Sequence, residues 1–241
     1  MTEGSKQNWN TVFSVLREQY RRRFFELLDS NEGSKVLVWD PDLIQPFNLL
    51  TGFKELQDRK VVQMLQLKTR ISVASGAAHV VFVLRPVVAN MQVVADAVLD
   101  AAIGSIVKFH LLFVPQRSVV CEHKLKQLDA LSVVTSIHEL PVFFFLWDKD
   151  VMSMEREDLL ERVLVEEDDS LLFTVAMAMV QLQKGFGQIR HFYCKGEHSC
   201  KVYRMMKNVL SKEKLANFAT RFSPINSVIM LDRSIDLITP L

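Results

Sequence analysis

Glycine is scarce where a nucleotide site would need it. The 241 residues include only eight glycines, and none falls into G-x-G-x-x-G or G-x-x-x-x-G-K. Such glycines let backbone amides approach a pyrophosphate at a helix N-terminus, so neither common phosphate cradle is spelled out. Cysteine is sparse too. Three residues, an odd number, fit a reducing compartment better than a disulfide framework. Excess charge is missing, with Lys plus Arg at 29 against Asp plus Glu at 28. The electrostatics therefore give no reason to expect nucleic acid or an anionic membrane as partner. No apolar run reaches the ~18 residues of a membrane span. The polar start MTEGSKQNWN lacks the basic-then-apolar order of a signal peptide. These absences predict a soluble cytoplasmic protein with no direct membrane insertion.

What is present is ordinary globular material, 49% hydrophobic and 24% charged, enough for one large or two ordinary α/β domains. Trp9, Val12, Phe13, Leu16, Tyr20, Phe24, Leu27 and Leu28 fall on one helix face, with Arg17 and Arg21 to Arg23 mainly on the other as a solvated side. Then a pattern repeats. KVLVW meets Asp40-Pro41, HVVFVL meets Arg85-Pro86, and FHLLFV runs into Pro115. Continuous apolar runs suit strands covered on both faces, and proline closes them because it cannot donate to a ladder. VVQML (61–65) and SVVTSI (132–137) complete five strands. Helical stripes lie between them, one from Val87 to Ala102 and a shorter one through Cys121, Leu125 and Leu128. Strands alternating with helices predict a doubly wound, five-stranded parallel sheet, Rossmann-like but without a nucleotide site.

From Leu140-Pro141 the scheme restarts. VFFFLW reads as a buried strand, EEDDS (166–170) as an acidic helix start, and SVIML (227–231) as a further strand. Two methionine-bearing stripes, Leu172 to Val180 and Val202 to Leu210, read as core helices. This second α/β unit has too few strands to close its own sheet.

Chemistry is hard to find. Asp40, Pro41 and Asp42 follow the first strand, so two carboxylates and a missing N–H stand where a phosphate would bind. KGFG (184–187) reads as a helix stop. His191, Cys194, His198 and Cys200 offer two imidazoles and two thiols, but not in the tight pairs of common zinc modules. Cys121 and His123 are i and i+2 on a helix and point apart. VASGA (73–77) reads as a loop before a strand, not as a nucleophile elbow. No catalytic, cofactor or metal residue is assigned.

The final LDRSIDLITPL, preceded by its apolar strand, resembles the motif of the SM (Sec/Munc-like) family of SNARE-binding vesicle-fusion proteins. FHLLFVPQRSVVCEHKL (109–125), DVMSME (150–155) and KGEHSCKVYRMM (195–206) resemble that family's vacuolar protein sorting branch, number thirty-three, in order and at fitting separations. The resemblance implies a first domain over 1–139 and, over 140–241, the first segment of a second domain completed elsewhere. It implies a non-enzymatic role: binding SNAREs, promoting docking and fusion at late endosome, lysosome or vacuole, as a subunit of a multisubunit tethering complex. Attachment to those membranes would be peripheral, through partners, and no cofactor is implied. Lys54, Lys68 and Arg70, around the first two strands, are then candidates for partner contact. Asp232, Arg233, Asp236, Thr239 and Pro240 form the family motif with a structural role, the Arg233 fork being held by loop carboxylates and carbonyls. The alternative from fold class alone is a nucleotide-binding α/β enzyme.

Overall fold

The computed structural model describes residues 9–103, 106–212 and 223–235. They form two compact units, Phe13–Ser153 and the residues from Met154 onward together with those up to Val12.

The first unit takes α1 (Trp9–Asp29) from Phe13 onward and continues with β1 (Lys35–Trp39), α2 (Pro41–Asn48), α3 (Phe53–Asp58) and β2 (Val61–Gln66). After these come β3 (His79–Leu84), α4 (Met91–Ala102), β4 (Lys108–Phe113), α5 (Val119–Gln127) and β5 (Val134–Glu139). The sheet order is β2-β1-β3-β4-β5, every pair parallel. The three inner strands are those with continuous apolar runs, buried on both faces apart from Lys108 at the start of β4, whereas β2 and β5 at the edges are only partly covered. This is the arrangement the runs predicted. The last strand starts two residues later than expected, because turn bonds from Val133 N–H to Ala130 O and from Val134 N–H to Leu131 O follow α5.

Leu16, Tyr20, Phe24 and Leu28 form the buried face of α1, joined by Phe25. Trp9 and Val12 begin that helix, and their side chains lie outside the described set. Arg22 and Arg23 are exposed and pair with Glu26 of their own helix, while Arg21 pairs with Glu55 of α3.

VFFFLW departs from expectation. Only Phe145–Leu146 (β6) pairs, antiparallel with Met152–Ser153 (β7). Val142, Phe143 and Phe145 are nonetheless buried. Phe145 lies 5.8 Å from Phe47, and the buried Tyr20 hydroxyl meets the backbone of Phe143 and Phe144. Burial alone writes the same apolar run as a strand does, and here the run is a wedge against α1 and α2. The compact unit accordingly extends to Ser153.

At the amino ends of β3 to β5 a hydrogen-bonded chain crosses the sheet. His79 Nε2 lies 2.8 Å from Glu32 O, His79 Nδ1 is 2.9 Å from His110 Nε2, and His110 Nδ1 is 2.7 Å from Ser136 Oγ. A carbonyl only accepts, so in the neutral tautomer that fits this chain His79 carries its proton on Nε2. His110 then donates from Nε2, and its Nδ1 accepts from Ser136. Burial first, then the neighbouring His79, His138 and Lys108, pushes the His110 pKa down to about 4. The unfolded chain, near 6.5, therefore binds more protons than the folded one between these values. Stability is expected in full above pH ~6.5 and to fall by about 3 kcal/mol as pH drops to ~4. Urea titrations across that range check this, and His110→Gln should flatten the profile.

The second unit contains α6 (Leu159–Leu164), α7 (Ser170–Phe186), β8 (His191–Lys195), α8 (Glu197–Lys212) and β9 (Ser227–Leu231). Leu172, Ala176 and Val180 of α7 pack against Val202 and Met206 of α8, so the methionine-bearing stripes are core. Asp168 Oδ1 accepts the Ser170 N–H (2.8 Å), capping α7. Gly187, at φ +97°, ends the helix as KGFG suggested. β8 and β9 form a two-stranded parallel sheet. Phe192 and Met230 turn toward the helices, while Tyr193, Ile229 and Leu231 are exposed on the other face, the last two by 70% and 71%.

Candidate functional site

In a doubly wound sheet, ligands bind beyond the carboxyl ends of the strands where connections diverge, here between β1 and β3. Buried Asp40 occupies that crevice. Its Oδ1 accepts the N–H of Asp42 (3.2 Å) in the first turn of α2, and its Oδ2 accepts the N–H of Arg85 (3.1 Å) just past β3. Burial raises its pKa, more than those two bonds and the Arg85 charge lower it. The amides that would cradle a phosphate already hold a tethered carboxylate, and Pro41 supplies no N–H. The geometry gives the nucleotide reading no support.

The other candidates are also dispersed. Cys121 is buried, which pushes its thiol pKa up, while exposed His123 sits 3.1 Å from Gln127. VASGA lies in the loop before β3. His191 and Cys194, three apart on β8, face opposite sides. Cys194 Sγ is 4.0 Å from Met230 Sδ, and His198 Nδ1 is 3.0 Å from Asp232. Among the described residues no group of three or more His, Cys, Asp or Glu is placed to hold a metal.

The terminal motif works through Asp232. Its N–H extends the β8–β9 ladder to Lys195 O (3.0 Å). Oδ2 accepts the backbone N–H of His198 (2.8 Å) as well as its Nδ1, and Oδ1 accepts Ser234 N–H (2.9 Å) and Oγ–H (2.8 Å). Asp232 is thus the N-terminal cap of α8, supplied from the end of another strand. Burial raises its pKa, but the bonds from Ser234 and His198 together outweigh this and leave it below the usual carboxylate value. The tight turn before α8 makes the contact possible: Gly196 sits at φ +105°, and a Cβ there would come within 2.2 Å of Asp232 Cβ. Arg233, the next residue, is exposed at the start of a short 3-10 turn, Arg233–Ile235. Asp236, Thr239 and Pro240 lie outside the described residues.

Lys54, Lys68 and Arg70 are all exposed. Lys54 follows Phe53 at the start of α3. Glu55 fixes that start, its Oε2 accepting from Gly52 N–H (3.0 Å) and Thr51 Oγ1 (3.2 Å). Phe53, 60% exposed, lines a cleft of about 250 Å³ with Trp39, Ile44, Phe47, Leu56 and Met64 among its walls. Arg70, beyond β2, lines a different groove against α4, and Lys68 lies in the loop between. The cleft had no sequence signal of its own, since its walls come from four elements.

The profile of the Sec1 family matches residues 35–241. The chain belongs to the Sec1 family. Among its relatives are vacuolar protein sorting-associated protein 33A of Rattus norvegicus, 34% identical over 229 residues, and that of Drosophila melanogaster, 36% identical over 230. These alignments take in 95% and 94% of this chain but 38% and 37% of the relatives, so it spans well under half their length. Solved Sec1-family folds agree. The SM protein Vps45 in complex with the Qa SNARE Tlg2 superimposes at TM-score 0.66 with 16% identity, over 92% of this chain and 40% of that one. The Unc18–syntaxin 1 complex from Monosiga brevicollis gives 0.68 with 16% identity, over 94% and 41%. The resemblance to SM proteins of the vacuolar branch, and the α/β class, are thereby borne out. The Sec1-family match covers both the Asp232 clasp and the α2–α3–β2 cleft.

Proposed function

We propose that this chain is part of an SM protein that binds SNARE helices and promotes vesicle docking and fusion at late endosomes and lysosomes or vacuoles, as a subunit of a tethering complex. The observation that carries the reading is the cleft between α2, α3 and β2. An amphipathic helix needs an apolar slot for its buried face and charge along the rim, and Phe53 with Lys54 offers both. Holding a helix on a rigid wall removes orientational freedom before the helices pair, which favours correct register. Support comes also from the relatives, whose names record vacuolar sorting, and from same-fold proteins solved with SNAREs.

In this reading residues 1–139 are domain one and 140–241 the first segment of domain two. The bare face of Tyr193, Ile229 and Leu231 receives structure from elsewhere in the protein, because parallel sheets are ordinarily covered on both faces. The clasp at Asp232 and the motif residues Arg233, Asp236, Thr239 and Pro240 hold that domain's fold rather than touch a SNARE. Among the described residues no helix is long and apolar enough to cross a membrane, and attachment is peripheral, through partners. The test is binding of late-endosomal SNARE cytoplasmic domains to the protein and to its Phe53→Asp/Lys54→Glu variant. Affinity is expected to fall at least about tenfold with the thermal midpoint unchanged. Equal binding by the variant would sink the assignment of the cleft, and no binding by either protein would sink the SNARE reading for this chain.

A further inference from the structure

The groove that contains Arg70 has a composition that selects its occupant. It lies on the first unit, has a volume of about 430 Å³, and is lined by Thr69, Arg70, Asp96, Leu99, Asp100 and Ile103. Met91, Val94, Ala95, Ala97 and Val98 turn the other face of α4 into the core. The outer face carries Asp96 and Asp100, four residues apart, and Leu99, with Ile103 four residues further on at the cap that ends the helix. Residues so spaced are stacked one turn above another. Ile103 is 80% exposed and Leu99 also faces solvent. Asp96 Oδ1 accepts from Gln92 (2.9 Å) on its own helix, which orients one carboxylate along the wall.

Charge narrows the partner class. Two carboxylates against one guanidinium leave the groove net negative, so nucleic acid and an anionic lipid surface are both repelled. The solvent-facing Leu99 and Ile103 disfavour a small cation, and side chains one turn apart match the ridges of another helix. We propose that this groove docks an amphipathic helix of a partner protein, one whose apolar stripe is bordered on one side by Lys or Arg residues a turn apart. The basic border lies along Asp96 and Asp100, the apolar stripe on Leu99 and Ile103, and Arg70 on the opposite wall receives an acidic residue that sets the direction. This uses no residue of the α2–α3–β2 cleft, so it stands or falls separately from the SNARE reading.

The probe is a synthetic helix of Leu and Lys in that pattern, with a Leu/Glu twin of the same apolar stripe as control. The Leu/Lys helix should bind the protein and protect residues 69–70 and 96–103 from hydrogen exchange. Asp96→Lys with Asp100→Lys, and separately Ile103→Glu, should each weaken binding at least about tenfold. Raising salt from ~50 to ~300 mM should weaken it as well. All these positions are on the surface, so thermal midpoints should hold, and Phe53→Asp should leave the affinity unchanged. Failure of the Leu/Lys helix to bind would overturn the proposal. Equal binding by the Leu/Glu twin, indifference to the substitutions, or protection confined to the α2–α3–β2 cleft would do the same.

Discussion

Gly196→Ala is expected to destabilise the second unit by at least about 3 kcal/mol, the sum of a left-handed backbone penalty, overpacking and weakened charged hydrogen bonds. Gly196 holds φ +105°, and a new Cβ would stand 2.2 Å from Asp232 Cβ. One of the two backbones must withdraw. Either movement pulls the carboxylate off the amide of His198 and uncaps α8. Thermal melts measure the size of the effect, and hydrogen exchange at residues 197–199 should locate it. Asp232→Ala alone removes the cap but not the room, and should cost about 1–3 kcal/mol. In the double variant the two losses should add to less than their sum, because each removes the same contact. Strict additivity would show that the glycine and the aspartate act independently.

Phe24→Ala should cost about 3–5 kcal/mol in the first unit, the range for emptying a packed aromatic site. Phe24 is fully buried, 5.3 Å edge-on from Phe47 and 6.1 Å from Trp39. Phe47 in turn bears on Phe145. Loss of the ring therefore loosens the 140–146 wedge together with α1. Faster proteolysis near Pro141 should accompany the lower urea midpoint. Phe24→Leu keeps most of the volume and should cost less than about 1.5 kcal/mol. A drop as large as that of alanine would mean that ring geometry, not volume, holds α1 in place.

Some of the candidate site was written locally and some was not. Asp40-Pro41-Asp42 could be read as hostile to phosphate without coordinates, and in the crevice Asp40 accepts from the amides of Asp42 and Arg85. The turn at Lys195-Gly196 was equally legible, since glycine at a strand-to-helix turn is a local signal. Its partner was not, because Asp232 lies 34 residues beyond His198 and nothing in the intervening chain encodes the approach. Lys54 and Arg70 belong to one basic-looking region in sequence, yet Phe53 beside Lys54 and Arg70 itself line separate grooves.

By itself the sequence determined the five strands of the first unit's sheet with α1, α4 and α5, the parallel pairing and the family. Continuous apolar runs closed by proline, helical stripes between them and ordered motifs are properties of neighbours along the chain. Tertiary structure alone decided the strand order, the wedge made from VFFFLW, the proton positions on His79 and His110, the clasp at Asp232 and the α2–α3–β2 cleft. The reason is common to all five. Periodicity records that a side chain is buried, whereas which surface buries it depends on contacts between distant segments, and those exist only once the sheet has closed its order.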